Sequence, residues 1–317
     1  MEGSLVAYKV FTNGSVLNAS EVNENLMNQA VITFTNSTAR ASAITSPVEG
    51  MVTYLADTNT YQFWNGSAWT NLVSLTAGTG NILINGAFEI NQRNYTSGST
   101  IGVGNYSFDR WKSTHSGTTL TFTSAPQGQQ VTINSGGSIE QVVERENLPA
   151  GTYTLSWTGT AIGRVYNTGA TPPSYAASPI TLTLDGLANV EVELHAQSGT
   201  ATLSNVQLEA GSTATPFRRS ASTIAGELVA CQRYFQRLNG SWSSYGVSGS
   251  TVANYYRHLV VMRATPTVTV TTAPGYTNSS NLINDENSIT GSRFYATVTS
   301  TGVGFAQSWI YTLASEL

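Results

Sequence analysis

The sequence predicts a mainly β protein: a small N-terminal helix-plus-β-meander module, a central antiparallel jelly-roll sandwich and a smaller C-terminal β-sandwich domain. Three observations predict this. Apolar residues recur with period two over many short stretches, the mark of half-buried strands. Charged residues make up only 10% of the chain, against about 25% in ordinary soluble domains. Their place is taken by Thr, which favours strands, and by Ser, Asn and Gly, which favour turns.

Composition removes several functional classes. At 317 residues the chain fits two or three domains. It is 40% hydrophobic with 10 Phe, 15 Tyr and 6 Trp, enough to form a core. A net charge of −4, with Lys9 and Lys112 the only lysines, gives no broad attraction for nucleic acid or an anionic membrane. No apolar run approaches the ~20 residues of a membrane span, so no membrane insertion is expected. Residues 1–10 lack a basic stretch followed by an apolar core, so no signal peptide is expected. A single cysteine, Cys231, forms no internal disulfide and no Cys/His cluster. We therefore expect no metal, no cofactor and assembly in a reducing cytoplasm.

The first module covers residues 1–76. Asn18, with Glu21 three positions on, predicts a capped helix over 18–30 with Val22, Leu26 and Ala30 on one face. A second helix is predicted over 37–44, capped by Ser37. Both are too short to be stable alone. Residues 50–72 predict a three-stranded meander. Met51, Thr53 and Leu55 alternate with Val52 and Tyr54, residues 57–59 turn, Tyr61 and Phe63 resume, and Asn65-Gly66 is a hairpin signal before Trp69 and Leu72. So small a unit buries little by itself. Val22, Leu26, Tyr54, Phe63, Trp64 and Trp69 are accordingly expected to anchor the chain to a partner or to sister chains.

The second module covers 77–219, beginning in a Gly/Ser/Thr linker. Alternation places strands at Leu120–Phe122, Val131–Ile133, Tyr153–Leu155–Trp157, Ile180–Leu184, Val190–Leu194 and Leu203–Leu208. Residues 148–151 and 168–179 read as loops. The third module covers 220–317. It opens with a helix over 223–235, followed by strands at 258–262, 267–271, 293–299 and 304–312. Between these, Trp242, Tyr245, Tyr255 and Tyr256 fall in a Ser/Gly/Asn-rich loop over 239–256, and Tyr276, Asn278 and Asn281 in a second loop. Flat aromatic faces among small polar side chains suit sugar recognition, which needs little charge. The alternative for these aromatics is packing in the core or in a subunit interface.

Three ordered motifs carry a resemblance. They are Asn-Ile-Leu-Ile-Asn-Gly-Ala-Phe-Glu-Ile-Asn-Gln-Arg from residue 81 with Tyr-Ser-Phe-Asp-Arg-Trp at 106–111, Val-Gln-Leu-Glu-Ala-Gly-Ser-Thr-Ala-Thr-Pro-Phe-Arg-Arg at 206–219, and Glu-Leu-Val-Ala-Cys-Gln-Arg-Tyr-Phe at 227–235. Their order resembles tailed-bacteriophage tail-fibre and minor tail structural proteins. The middle part also resembles carbohydrate-binding jelly rolls, some of which use the Glu of an Asn-Gly-x-Phe-Glu strand for calcium. Here that residue is Glu89, with Asn205 or Glu209 as possible neighbours. Calcium wants six or more oxygens, so a surface carboxylate at a strand end is the simpler reading. The resemblance implies a virion protein, a homotrimer, contacts with other virion proteins and a host-surface glycan as ligand. A capsid head fibre or decoration protein, or a purely architectural subunit, fits the same residues. Phe88, Trp111 and Trp157 read as core, Asp109 and Arg110 as a pair or a turn cap, and Arg218 and Arg219 as a solvated junction.

Local signatures of catalysis are missing. There is no Gly-x-Ser-x-Gly elbow, Walker A loop, dinucleotide fingerprint, His-Glu-x-x-His motif or EF-hand loop. The histidines His115, His195 and His258 are isolated in sequence. Glycoside hydrolysis needs two facing carboxylates. The densest acidic group, Glu140, Glu144 and Glu146, reads as solvated loop or strand edge. No enzymatic activity is expected.

Overall fold

The computed structural model describes residues 14, 16, 18, 31–72 and 80–317. The predicted helix over 18–30, with Val22 and Leu26, lies outside the described residues, as does most of the linker at 74–80. The chain divides into two compact units, Met1–Gly78 and Thr79–Leu317.

The first unit is a four-stranded sheet with one short helix. Its elements are β1 (Ile32–Phe34), α1 (Ser37–Ala43), β2 (Val52–Leu55), β3 (Thr60–Trp64) and β4 (Trp69–Asn71). The predicted meander is present, and β1 adds a parallel partner to β2. The cap of α1 is Asn36 rather than Ser37: its side chain accepts the Ala39 N–H at 2.8 Å. Arg40 on α1 is buried, its guanidinium 4.2 Å from the Trp69 ring centroid and donating to Thr53 and Gln62. In a sheet this small, a cation–π contact takes the place that a buried aliphatic would fill in a larger core.

The second unit begins with a two-sheet sandwich. Its strands are β5 (Thr100–Ile101), β6 (Lys112–Ser113), β7 (Thr118–Ser124), β8 (Gln129–Ile133), β9 (Ser138–Val143), β10 (Gly151–Gly159), β11 (Ile162–Asn167), β12 (Ile180–Leu184), β13 (Val190–His195) and β14 (Ala201–Ala210). One antiparallel sheet runs β12-β10-β14-β8-β7-β5, the other β11-β13-β9-β6. Between them lie Phe88, Trp111, Leu120, Ile133, Ile139, Leu155 and Trp157, in one hydrophobic cluster. Each such side chain contributes roughly 1.5–3 kcal/mol on burial. A Cβ on Gly163 of β11 would lie 2.8 Å from the Trp157 ring, so this position admits only glycine.

All the strands read by alternation are present. Those missed are β5, β6, β9 and β11. In β9 every residue is buried, Glu140 and Gln141 included, so no polar-out alternation existed to be read. Glu140 is thus no solvated loop residue but sits in an interior strand of its sheet.

Where the chain enters this sandwich it is tied to where it leaves. The Asn81 amide donates to the Val206 carbonyl at 2.7 Å, and its oxygen accepts the Leu208 N–H at 3.0 Å. Arg219 grips Glu89 with both of its ends, at 2.6 and 2.7 Å. Arg219 is therefore no solvated junction, and the Glu89 oxygens that calcium would need are committed. Among the described residues no group of three or more His, Cys, Asp and Glu is placed to hold a metal.

The rest of the unit holds α2 (Ile224–Gln232), β15 (Phe235–Gly246), β16 (Thr251–Arg257), β17 (Thr267–Thr272), β18 (Gly275–Thr277), β19 (Ser279–Asn287), β20 (Gly291–Val298) and β21 (Gly302–Ala314). Strand β21 pairs with β15, β17 and β18, and a second sheet runs β16-β20-β19. The helix predicted over 223–235 is capped by Thr223 and ends at Gln232. Three expectations fail. The second loop, carrying Tyr276, Asn278 and Asn281, is instead β18 and the start of β19, with Asn278 between them. Residues 239–256 are not a loop but most of β15 and β16, joined by a short turn. Residues 258–262 form no strand: the Gln236 side chain accepts the Leu259 N–H and donates to the Val260 carbonyl, replacing a ladder. The core here is Trp242, Met262, Phe294, Trp309, Tyr311 and Leu313. The Trp309 ring lies so close over Gly240 that a Cβ there would sit 2.0 Å from it.

The two halves of this unit meet through buried charge. Arg110, 2% exposed, pairs with Glu316, donates to the Val142 carbonyl and lies 3.6 Å from the Tyr234 ring centroid. The expected Asp109–Arg110 pair does not form. Asp109 instead accepts the Gln92 N–H at 2.8 Å and faces Arg93 at 3.6 Å. Burial pushes its carboxyl up to about 6, against the opposing pull of Gln92 and Arg93.

Candidate functional site

The outer face of the sheet β11-β13-β9-β6 gathers polar chemistry in register. Arg164 of β11 stands opposite Glu193 of β13, Glu193 opposite Glu140 of β9, and Glu140 opposite Lys112 of β6. The row reads plus, minus, minus, plus. The outer pairs close as ion pairs, Arg164–Glu193 at 2.6 Å and Lys112–Glu140 at 3.2 Å. Period-two geometry puts all four side chains on the same face.

The neighbouring row is aromatic. Tyr175, from the 168–179 loop, stacks on His195 at 4.8 Å, and His195 stacks on His115 at 5.2 Å. The loop is laid against the sheet by two 2.8 Å hydrogen bonds between Gly163 and Ala176. Arg164 sits 4.2 Å from the Tyr175 ring centroid and 5.4 Å from that of Tyr166. His195 Nδ1 lies 2.9 Å from the Gly137 carbonyl, which favours a proton on Nδ1 and leaves Nε2 as an acceptor.

The two central carboxylates titrate in opposite directions. Burial pushes Glu193 up, but hydrogen bonds from Thr114, Arg164 and Tyr175 outweigh it and hold the group below its ordinary value. Both its oxygens are engaged, one by Thr114 and one by Arg164, each at 2.7 Å. Burial pushes Glu140 up, only partly offset by Lys112. Burial, with the nearby glutamates, pushes the Tyr166 and Tyr175 phenols far up, so both stay protonated donors. The Tyr175 hydroxyl is buried beside Glu193. Burial lowers His195, keeping the imidazole neutral near pH 7.

Such a face offers stacking rings, an imidazole acceptor and guanidinium and ammonium donors, held in place by two buried carboxylates. It suits a ligand dense in hydroxyls. Sequence reasoning did not assemble it. In sequence the histidines stand isolated, Glu140 reads as solvated and β11 has no strand signal, so Arg164 and Tyr166 have no assigned face. The usable signal was Glu191, Glu193 and His195 on every second position of one strand.

The residues singled out from sequence do not converge. Trp242 is buried in the second core, 5% exposed. Tyr256 is half-buried and edge-on to Phe294, Trp309 and Tyr311. Tyr255, beside it in β16, points to the outer face, with its hydroxyl 3.0 Å from Ser288. Tyr245 is exposed near the end of β15. Tyr276 lies in β18 and accepts the Leu282 N–H at 2.8 Å. Asn278, at φ 50°, follows it and donates to the Val303 carbonyl. In the first unit, Tyr54 packs on Tyr61 and Trp64 on Trp69, with ring centroids 4.9 and 5.5 Å apart, and Phe63 pairs with Val52 and Thr70.

No family model matches the sequence, and no curated protein matches it. Among solved structures, a family 61 carbohydrate-binding module in complex with β-1,4-galactotriose is similar over 41% of this chain and 99% of that one, at 15% identity and a TM-score of 0.26. The enzymatically active domain of tailspike protein 4 of bacteriophage CBA120 is similar over 40% of this chain and 21% of that one, at 14% identity and a TM-score of 0.25. Discoidin II of Dictyostelium discoideum is similar over 76% of this chain and 93% of that one, at 9% identity and a TM-score of 0.21. Likenesses this distant leave the functional reading to the chain's own residues.

Proposed function

We propose that this chain is a non-enzymatic, glycan-binding structural subunit of a tailed-phage virion, a tail-fibre or minor tail protein that holds host-surface sugar. The observation that carries the glycan reading is the outer face of β11-β13-β9-β6, where Tyr175, His195 and His115 stack beside the Arg164–Glu193–Glu140–Lys112 row. A sugar ring lies against the aromatic row while its hydroxyls meet the half-buried Arg164, Lys112 and His195, which the buried Glu193 and Glu140 hold in place. The virion role is supported by the three ordered motifs at 81–111, 206–219 and 227–235.

Binding is favoured over hydrolysis by the state of the carboxylates. Glu193 has both oxygens committed and is 1% exposed, while Glu140 is 4% exposed and paired with Lys112. Neither is presented to a glycosidic oxygen as a hydrolase requires. In the first unit, Leu55 is the one buried hydrophobic among the described residues. So thin a core supports an anchoring or sister-chain role for Tyr54, Phe63, Trp64 and Trp69.

A glycan array probed with the full chain tests this reading. Binding to a defined sugar set, lost in Tyr175→Ala with the fold retained by circular dichroism, is the expected result. A folded chain that binds no glycan, or binding indifferent to Tyr175→Ala, overturns the assignment of this face.

A further inference from the structure

A second groove, of about 700 Å³, runs between the 93–106 segment of the first sandwich and the β15-β21-β17 sheet of the second half. Its volume falls within the roughly 300–1,000 Å³ of small-ligand sites. Its charged lining is two arginines, with no carboxylate among the lining residues. Arg93 is engaged: it pairs with Glu316 at 2.5 Å and lies 3.7 Å from the Phe235 ring centroid. Arg237, exposed on β15 opposite Thr312 of β21, has no hydrogen-bond or ion-pair partner among the described residues. The side chains of Thr100, Thr272, Thr312, Asn94 and Asn105, which line the same groove, are likewise uncommitted among the described residues. Tyr95 and Tyr106 supply rings.

This inventory differs from that of the other large groove, lined by Glu144, Arg233, Tyr234 and Arg263. There the cations are spent internally, Arg233 on Glu144 at 2.6 Å and Arg263 on the Ser315 carbonyl at 2.7 Å. An open guanidinium fork takes a carboxylate or phosphate, and free hydroxyls and amides take sugar hydroxyls. The net charge of −4 does not cancel this local field, because at physiological salt charges beyond about 8 Å are largely screened.

We propose that this groove binds an acidic saccharide, a sugar bearing a carboxylate or a phosphate, with Arg237 holding the anion. The proposal rests on the glycan-binding reading but uses a separate site, so the two fail separately. The test is calorimetric titration of the full chain with trigalacturonate, with glucose 1-phosphate and with neutral galactotriose. Expected is binding of at least one acidic probe, weakened about ten- to hundredfold in Arg237→Ala, as for loss of a charge-assisted hydrogen bond. Arg237→Lys should restore part of it, keeping charge without the fork. Tyr175→Ala should leave it unchanged. The tighter of the two acidic probes identifies the anion. Absence of binding by both acidic probes, or acidic binding indifferent to Arg237→Ala, overturns the proposal. So does a loss of galactotriose binding in Arg237→Ala as large as that of the acids. Galactotriose binding lost only in Tyr175→Ala, with no acidic binding, overturns this groove while sustaining the first site.

Discussion

The outer β11-β13-β9-β6 face of the first sandwich and the outer β15 face of the second use charge in opposite ways. The first sets Arg164, Glu193, Glu140 and Lys112 in one registered row, mostly out of solvent. The second keeps its outer β15 face to Asn239, Ser241, Ser243 and Tyr245, with Arg237 the one cation among them. Both belong to a chain with few charges. The lesson is that scarce charge is informative by position: where most surface is Thr, Ser and Asn, four ionic side chains in one cross-strand row mark a place where geometry is specified. The cost of disturbing each face should differ accordingly.

The largest effect is expected at Glu193. Replacing it with Ala leaves Arg164 without its carboxylate and should cost about 3–5 kcal/mol, as when one partner of a buried pair is removed. Urea unfolding measures it, and a cost under about 1 kcal/mol would mean the row is ornamental. Next comes the charge at the joint. Asp109 rises from 3.8 to about 6 on folding, so between those values the folded state keeps a proton that the unfolded chain has released. Its contribution is therefore least unfavourable below about pH 4, and stability falls as pH rises through about 6, by about 3 kcal/mol in total. Asp109→Asn should flatten that slope, and an unchanged stability–pH profile would refute the assignment. The smallest effects are expected on the second sandwich. Tyr245→Ser and Tyr255→Ser should each stay within about 0.5 kcal/mol in the same unfolding measurement. A large loss at either would show that this face is covered, and the contrast between the sandwiches would collapse.

The same contrast explains what could be read from sequence. Strands with one wet face announce themselves, as Ile180, Leu182 and Leu184 do between threonines. Strand β9 does not, because all six of its residues are buried and its polar members Glu140 and Gln141 are partners of Lys112 and Ile84 rather than solvent-facing residues. Strand β15 fails for the opposite reason. Its Asn-Gly-Ser-Trp-Ser-Ser-Tyr-Gly run has the composition of a loop, and only pairing with β21 over its length makes it a strand. The segment 258–262 is apolar enough to pass for a strand, yet Gln236, 23 residues away in sequence, supplies its backbone partners. The site suffers most, since it needs β11, β13, β9 and β6 in register and a loop tyrosine laid across them. None of that order is local.

The tie between the start and end of the first sandwich has a mechanical meaning. Asn81 holds residues 206 and 208, and Arg219 holds Glu89. A pull applied between residues 80 and 220 thus loads these few short links directly. The Trp111 and Leu155 core, lying beyond them, is bypassed by the force. The sandwich hangs from the load path like a bead clipped to a cord, and tension reaches its sheets only after the clip has opened.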